Sequence, residues 1–239
     1  MTLLSVRELE VRHGLLRAVR GVSFDVAQGE TVAFVGANGA GKTTLLRAIA
    51  GAHLPQAGRI SFAGEDVTSA PSYRRARAGI ALVPEGRRLF GELSVTENLL
   101  LGLSAGNRGA WNLDAVLEAL PQLQPIRHAL ARNLSGGQQQ AVAIGRALMT
   151  NPKLLLLDEI SLGLSPVAVD LVYAAIAKLI AAGTTIILVE QKLDRAMSVA
   201  DRMICMLEGS VVLEGKTSQL TRDQITDAYF GLGQVGAHS

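Results

Sequence analysis

A chain of 239 residues with 49% hydrophobic side chains can bury a sizeable core as one large or two small domains, which excludes a disordered chain. Its 23 basic and 21 acidic residues leave a net charge of +2, too little for a general field that would draw nucleic acid or acidic lipid. The only cysteine, Cys205, lies in an apolar run and reads as a buried, inert thiol; with no intrachain disulfide to form, the chain suits a reducing compartment.

At the N-terminus Arg7, Glu8 and Glu10 stand where a signal peptide would need an apolar core, which points to a cytoplasmic protein. From Leu3 to Val26 apolar residues alternate, Val6, Leu9 and Val11 and then Val22, Phe24 and Val26, as in half-buried antiparallel strands. Gln28-Gly29-Glu30 turns the chain into a buried strand over 31–35. That strand feeds Gly36-Ala37-Asn38-Gly39-Ala40-Gly41-Lys42-Thr43-Thr44, a full match to G-x-x-x-x-G-K-[ST], and a helix over 45–50 leads out to Gly51. Strand, loop and helix in this order mark a phosphate-binding loop rather than an ordinary glycine-rich turn. Glycines let the backbone turn its N–H groups inward, and the helix adds its own unpaired N–H groups and positive dipole end. Lys42 then reaches the β- and γ-phosphates and the Thr43 hydroxyl binds Mg²⁺.

Residues 59–64 read as a strand with a glycine turn, and 79–83 as a short buried strand stopped by Pro84. Between them Arg74, Arg75 and Arg77 read as a solvated helix face rather than a nucleic-acid patch. Helical texture follows from 92 to 150. Ser94 and Glu97 form a capping box, 102–112 is loop-like, 113–120 is a short helix ended by Pro121, and Pro125 marks a connector. Leu134-Ser135-Gly136-Gly137-Gln138 contains a second box, S-x-x-Q, opening a helix over 138–149. Two glycines and a free hydroxyl at a helix N-terminus can bind an anion.

Leu154-Leu155-Leu156-Leu157-Asp158-Glu159 reads as a buried parallel strand that delivers acids to its C-terminal edge. Asp158 is placed to hold Mg²⁺ through its water shell, and Glu159 to take a proton from an attacking water. Ser165-Pro166 starts a helix that runs to Ala182 before a Gly183 cap, and the strand 184–189 ends in Glu190-Gln191. Residues 171–189 are long enough to span a bilayer, but Lys178 near the middle and the helix, glycine, strand pattern argue against it. Residues 203–207 and 210–213 flank Glu208-Gly209 as a hairpin, 218–229 reads as a terminal helix, and 231–239 as a frayed tail.

The phosphate loop, Leu-Ser-Gly-Gly-Gln and Leu-Leu-Leu-Leu-Asp-Glu, in that order, resemble the nucleotide-binding subunit of an ABC transporter over essentially the whole chain. The resemblance implies an α/β P-loop NTPase fold with a mixed sheet core, an N-terminal antiparallel β region and a helical subdomain. It implies one domain over 1–239, with 1–91 and 151–239 as the ATP-binding core and 92–150 as the helical signature subdomain. ATP and Mg²⁺ are the implied ligands: Gly36, Asn38, Gly39, Ala40, Gly41, Lys42, Thr43 and Thr44 bind the nucleotide, and Thr43, Glu85 and Asp158 serve the metal. Two such domains pair head to tail, so that Ser135, Gly136, Gly137 and Gln138 of one close over the ATP of the other.

Three shorter stretches, Val83-Pro84-Glu85-Gly86-Arg87-Arg88, Ser161-Leu162-Gly163-Leu164-Ser165-Pro166 and Leu188-Val189-Glu190-Gln191, resemble the shorter ATPase subunit of branched-chain amino-acid importers. That implies a motor peripheral on the cytoplasmic face of the membrane, paired with a second ATPase, two permeases and an external binding protein, and no nucleic acid. A urea or short-amide importer is the alternative. A soluble ABC ATPase would carry fused domains or long insertions, and a P-loop kinase has no use for the pentapeptide or for Glu159 after Asp158. Departures from the wider family pattern bear on mechanism. Glu85 stands where a Gln senses Mg²⁺, and Gln191 stands where a His contacts the γ-phosphate; an amide donates that hydrogen bond but carries no proton. Leu164 replaces an Asp, Ile160 replaces a Pro, and His13 replaces the aromatic residue that stacks on adenine.

Overall fold

In the computed structural model, which describes residues 1–232, the N-terminal alternation folds as β1 (Thr2–His13) and β2 (Leu16–Ala27), paired antiparallel. Val6 and Leu9 are three apart, yet both are fully buried. Glu8 between them has a φ of 46° and the register slips there, so it is the extra residue of a bulge that returns the apolar set to one face. β3 (Thr31–Val35) is buried throughout, and α1 (Lys42–Ile49) begins at the lysine itself. β4 (Ala57–Phe62) pairs with β1, and the short β5 (Glu65–Asp66) completes a sheet of order β2-β1-β4-β5.

The chain forms two compact units, one of Met1–Pro71 with the chain from Ile186, the other Ser72–Thr185. The second unit opens with α2 (Ser72–Ala78), which corrects the reading of the arginine run: Arg74 and Arg77 are exposed, but Arg75 is fully buried. Residues three apart share a helix face, and the one after the first of them turns away from it. β6 (Ile80–Val83) and β7 (Leu154–Asp158) pair in parallel, Ile80 beside Leu154 and Val83 beside Leu157. Between them come α3 (Val95–Leu100), started by the Ser94–Glu97 box, α4 (Leu113–Ala119), capped by Asn112, and α5 (Gly136–Leu148). Two stretches expected as plain loop or connector contain 3₁₀ turns, Leu101–Ala105 and Pro121–Ile126. α6 (Pro166–Ala181) starts at the Ser165 cap and ends before Gly183.

Back in the first unit, β8 (Thr185–Glu190) runs parallel to β3, α7 (Leu193–Val199) follows, and β9 (Arg202–Leu207) turns through Glu208-Gly209 into β10 (Ser210–Lys216). Both turn residues have positive φ, 48° and 86°, as a tight hairpin of this hand requires. The strands of this unit's second sheet lie in the order β10-β9-β3-β8, with β3 parallel to both neighbours and only the β9–β10 pair antiparallel. α8 (Arg222–Phe230) starts four residues later than the composition predicts, because Thr221 and Gln224 form the capping box that fixes its first turn. The frayed tail expected over 231–239 lies, beyond residue 232, outside the described residues. No helix among the described residues is long and apolar enough to cross a membrane, and the stretch 171–189 is divided between α6 and β8.

Candidate active site

The phosphate loop leaves β3 and enters α1 as the motif requires, and two of its glycines are fixed by close backbone neighbours. A Cβ on Gly36 would stand 2.2 Å from the Met206 carbonyl oxygen, and one on Gly41 would stand 2.2 Å from that of Ala18. The Gly209 N–H donates to Ala40 O at 3.1 Å, while Gly209 O accepts from the Arg20 N–H at 2.8 Å. The loop is therefore packed between β2 and the β9–β10 hairpin. Ala18, Met206 and Gly209 contribute only backbone, so no side-chain pattern in the sequence could announce them. Lys42 is buried and its ammonium donates to the carbonyls of Gly36 (2.7 Å) and Ala37 (3.0 Å), inside the curve of the loop.

Other expected residues of this unit gather around the loop. His13, exposed at the tip of β1, has its Nε2 3.1 Å from the Thr44 hydroxyl, and its ring meets the edge of His53 at 4.4 Å. His53 was not foreseen; burial, and then its neighbours His13 and Arg47, hold its pKa below the usual imidazole value and favour the uncharged ring. Val35, the last residue of β3, lies beside Glu190, which brings Gln191 to the same sheet edge as the loop. The buried Glu190 carboxylate accepts from the backbone N–H groups of Gln191 (2.7 Å) and Lys192 (3.3 Å) and so fixes the chain where Gln191 projects. Cys205 is buried as expected, and desolvation pushes its thiol up to about 11, with Lys42 opposing in part. It is a packing residue, not a nucleophile.

In the second unit Glu85, Asp158 and Glu159 share the C-terminal edge of the β6–β7 pair. Asp158 is fully buried. Glu159 is partly exposed and has a φ of 47°, a conformation that costs a non-glycine residue about 1–3 kcal/mol and gathers at functional sites. The turn beyond it is held by Leu162 N–H donating to Glu159 O at 3.1 Å and by the burial of Ile160, which gives the residue replacing the family's proline a role as an apolar anchor. Glu85 is exposed at the start of a loop in which Gly86, Arg87 and Arg88 all have positive φ. This loop is clamped to α5: the Arg87 guanidinium donates to Gln139 Oε1 at 3.1 Å, and Arg146 donates to Arg87 O at 3.1 Å. Farther along, the fully buried Asn98 side chain accepts from Phe90 N–H and donates to the carbonyls of Phe90, Leu93 and Ser94. Polar residues inside a helix period were the available signal for Asn98, Gln139 and Arg146; Arg87, which Gln139 and Arg146 hold, lies too far along the chain to be read from it, whereas the partners of Asn98 are only four to eight residues away.

The pentapeptide folds as its box predicts. Ser135 Oγ accepts from Gln138 N–H at 3.3 Å, and Gln138 Oε1 accepts from Ser135 N–H at 2.9 Å. The hydroxyl is therefore not free, as the sequence reading had it; its lone pair caps the helix and its proton remains available to donate. The helix consequently begins at Gly136, two residues earlier than expected. Gly137 is required by packing, since a Cβ there would lie 2.7 Å from that of Ala168 on α6.

Residues 19–161 match the family described as ABC transporter. The high-affinity branched-chain amino acid transport ATP-binding protein BraG of Pseudomonas aeruginosa is 41% identical over 96% of this chain and 100% of its own length. Among solved structures, the ADP conformation of MJ1267, an ATP-binding cassette of an ABC transporter, has a TM-score of 0.82 at 29% identity, covering 96% of this chain and 95% of its own. The dimeric post-hydrolysis state of the cassette MJ0796, bound to ADP and Pi, has a TM-score of 0.78 at 27% identity, covering 90% and 99%.

Proposed function

The chain belongs to the ABC transporter family and is an ATP-hydrolysing member of it, and from that premise we propose that it drives an importer of branched-chain amino acids from the cytoplasmic face of the membrane. The full-length match to BraG carries this reading. The proposed assembly pairs it head to tail with a second ATPase, beneath two permeases that receive solute from an external binding protein; the dimeric state described for MJ0796 supports the pairing.

In the proposed cycle, backbone N–H groups of the loop and the Lys42 ammonium hold the β- and γ-phosphates of ATP, and His13 meets the base. Mg²⁺ fits the donor set, because Thr43 offers a hydroxyl and Asp158 a carboxylate, both hard oxygen ligands. Bound there, it would neutralise charge that develops on the phosphate oxygens. Glu159 takes a proton from water as the water oxygen bonds to the γ-phosphorus and the bond to the β–γ bridging oxygen breaks, leaving ADP and phosphate. Gln191 donates a hydrogen bond to the departing γ-phosphate, Glu85 would offer a carboxylate toward Mg²⁺, and residues 135–138 of the partner close the site. Uptake of labelled leucine by the assembled complex, with and without this chain, tests the proposal. ATP-dependent uptake only in its presence is expected, whereas uptake of urea in place of leucine would assign the alternative solute.

A further inference from the structure

A pocket of about 490 Å³ lies between α4 and α6 in the second unit, within the range of about 300–1,000 Å³ typical of small-molecule sites. Ala115 and Ala119, four apart on α4, face Leu179 on α6, and the short alanine side chains leave the gap unfilled. The half-buried Trp111 forms one wall. Its backbone is fixed on both sides by the Asn151 amide, which accepts from Trp111 N–H at 2.8 Å and donates to Trp111 O at 2.9 Å, so the indole is presented by a rigid loop. The other lining groups, both solvent-exposed at the rim, are a carboxylate, Glu118, and an ammonium, Lys178. Among the described residues neither enters an ion pair or side-chain hydrogen bond, with the other or with anything else, and the Trp111 indole N–H is likewise uncommitted.

Opposite charges that line one apolar pocket without pairing across it suit a ligand that carries both charges and an apolar body. We propose that this pocket binds a hydrophobic α-amino acid, its ammonium on Glu118, its carboxylate on Lys178 and its side chain against Trp111, Ala115, Ala119 and Leu179. None of its lining residues belongs to the nucleotide-binding loop, and the inference rests on its lining alone and not on the transport reading.

Trp111 is the only tryptophan, so its fluorescence reports the pocket directly in the full chain. Titration with L-leucine and with L-phenylalanine should give a saturable change, checked by isothermal titration. Two analogues dissect the charges. 3-Methylbutylamine lacks the carboxylate and 4-methylpentanoate lacks the ammonium, and each should bind about two- to fivefold more weakly than leucine, the loss of one solvent-exposed charge contact. Glu118→Gln should weaken leucine but not 4-methylpentanoate, and Lys178→Met should weaken leucine but not 3-methylbutylamine; unchanged ATP affinity verifies that each variant is folded. No saturable signal or heat up to about 20 mM amino acid, a concentration well above that set by a few contacts of this kind, would overturn the proposal. So would equal affinity for leucine and both analogues.

Discussion

At the scale of the residue, Lys42 and His13 carry the sharpest expectations. The Lys42 ammonium is buried inside the loop and held by two loop carbonyls, so its charge is already aimed at the position a phosphate would take. Hydrogen bonds to a charged group are worth about 1.5–3 kcal/mol, so Lys42→Ala should weaken ATP binding by roughly 10- to 100-fold or more in isothermal titration. Unchanged affinity would remove the loop from the site. His13 offers a smaller face than tyrosine, and His53, whose pKa is held below the usual imidazole value chiefly by burial, packs against its edge. GTP should therefore compete comparatively well, and His13→Tyr should raise the ATP-to-GTP affinity ratio; the same ratio in both proteins would separate His13 from the base. The residue types at these positions were legible from the motif and the family pattern. The positive φ of Glu159 was not, because it arises from the turn that the buried Ile160 pins behind it.

Several elements were legible at ends set by local chemistry, although the Thr221–Gln224 box that starts α8 was missed. The boxes at Ser94 and Ser135 and the Ser165-Pro166 start fold where the sequence puts them, because a cap needs only residues three apart. The bulge at Glu8 and the burial of Arg75 were not legible, since each depends on packing that distant residues supply. The same distinction yields a prediction for α5. Ser135→Ala should cost about 1 kcal/mol of stability through the lost cap and little else in this chain. Ser135→Arg should lose the same cap and also present a long cation toward the partner's nucleotide. ATP binding by the substituted chain should stay intact while hydrolysis by the assembled pair fails. Loss of the chain's own ATP binding would contradict the head-to-tail arrangement.

For the whole molecule, distant segments are tied by a few partly buried charges. Arg202 on β9 donates to Glu30 before β3 (2.7 Å), to Glu214 on β10 and to the Asp25 carbonyl on β2. Burial pushes the Glu30 carboxyl up, but Arg202 and the Ala27 N–H outweigh it and hold the pKa below the usual range. A carboxylate depressed in this way stabilises the fold fully above its unfolded value of about 4.3 and loses that contribution as pH falls through the lower folded value. Arg202→Met should therefore lower the urea midpoint markedly at pH 7 and by progressively less as the pH falls below about 4.3, the unfolded carboxylate value. An equal loss at every pH would make the residue's role one of packing alone.

In the proposed mechanism this chain binds ATP in one loop and breaks it with one carboxylate. The most direct test is Glu159→Gln in the assembled complex, read by single-turnover hydrolysis at this chain's own site. Glutamine keeps the size and a hydrogen bond but accepts no proton, and the Gln191 amide cannot replace the base. ATP should bind as before and hold the subunits closed, while hydrolysis falls by about 10²–10⁴-fold, the usual worth of a positioned acid–base group. Hydrolysis within about threefold of the parent protein, far less than that worth, would contradict the assignment and leave Glu159 as a structural acid.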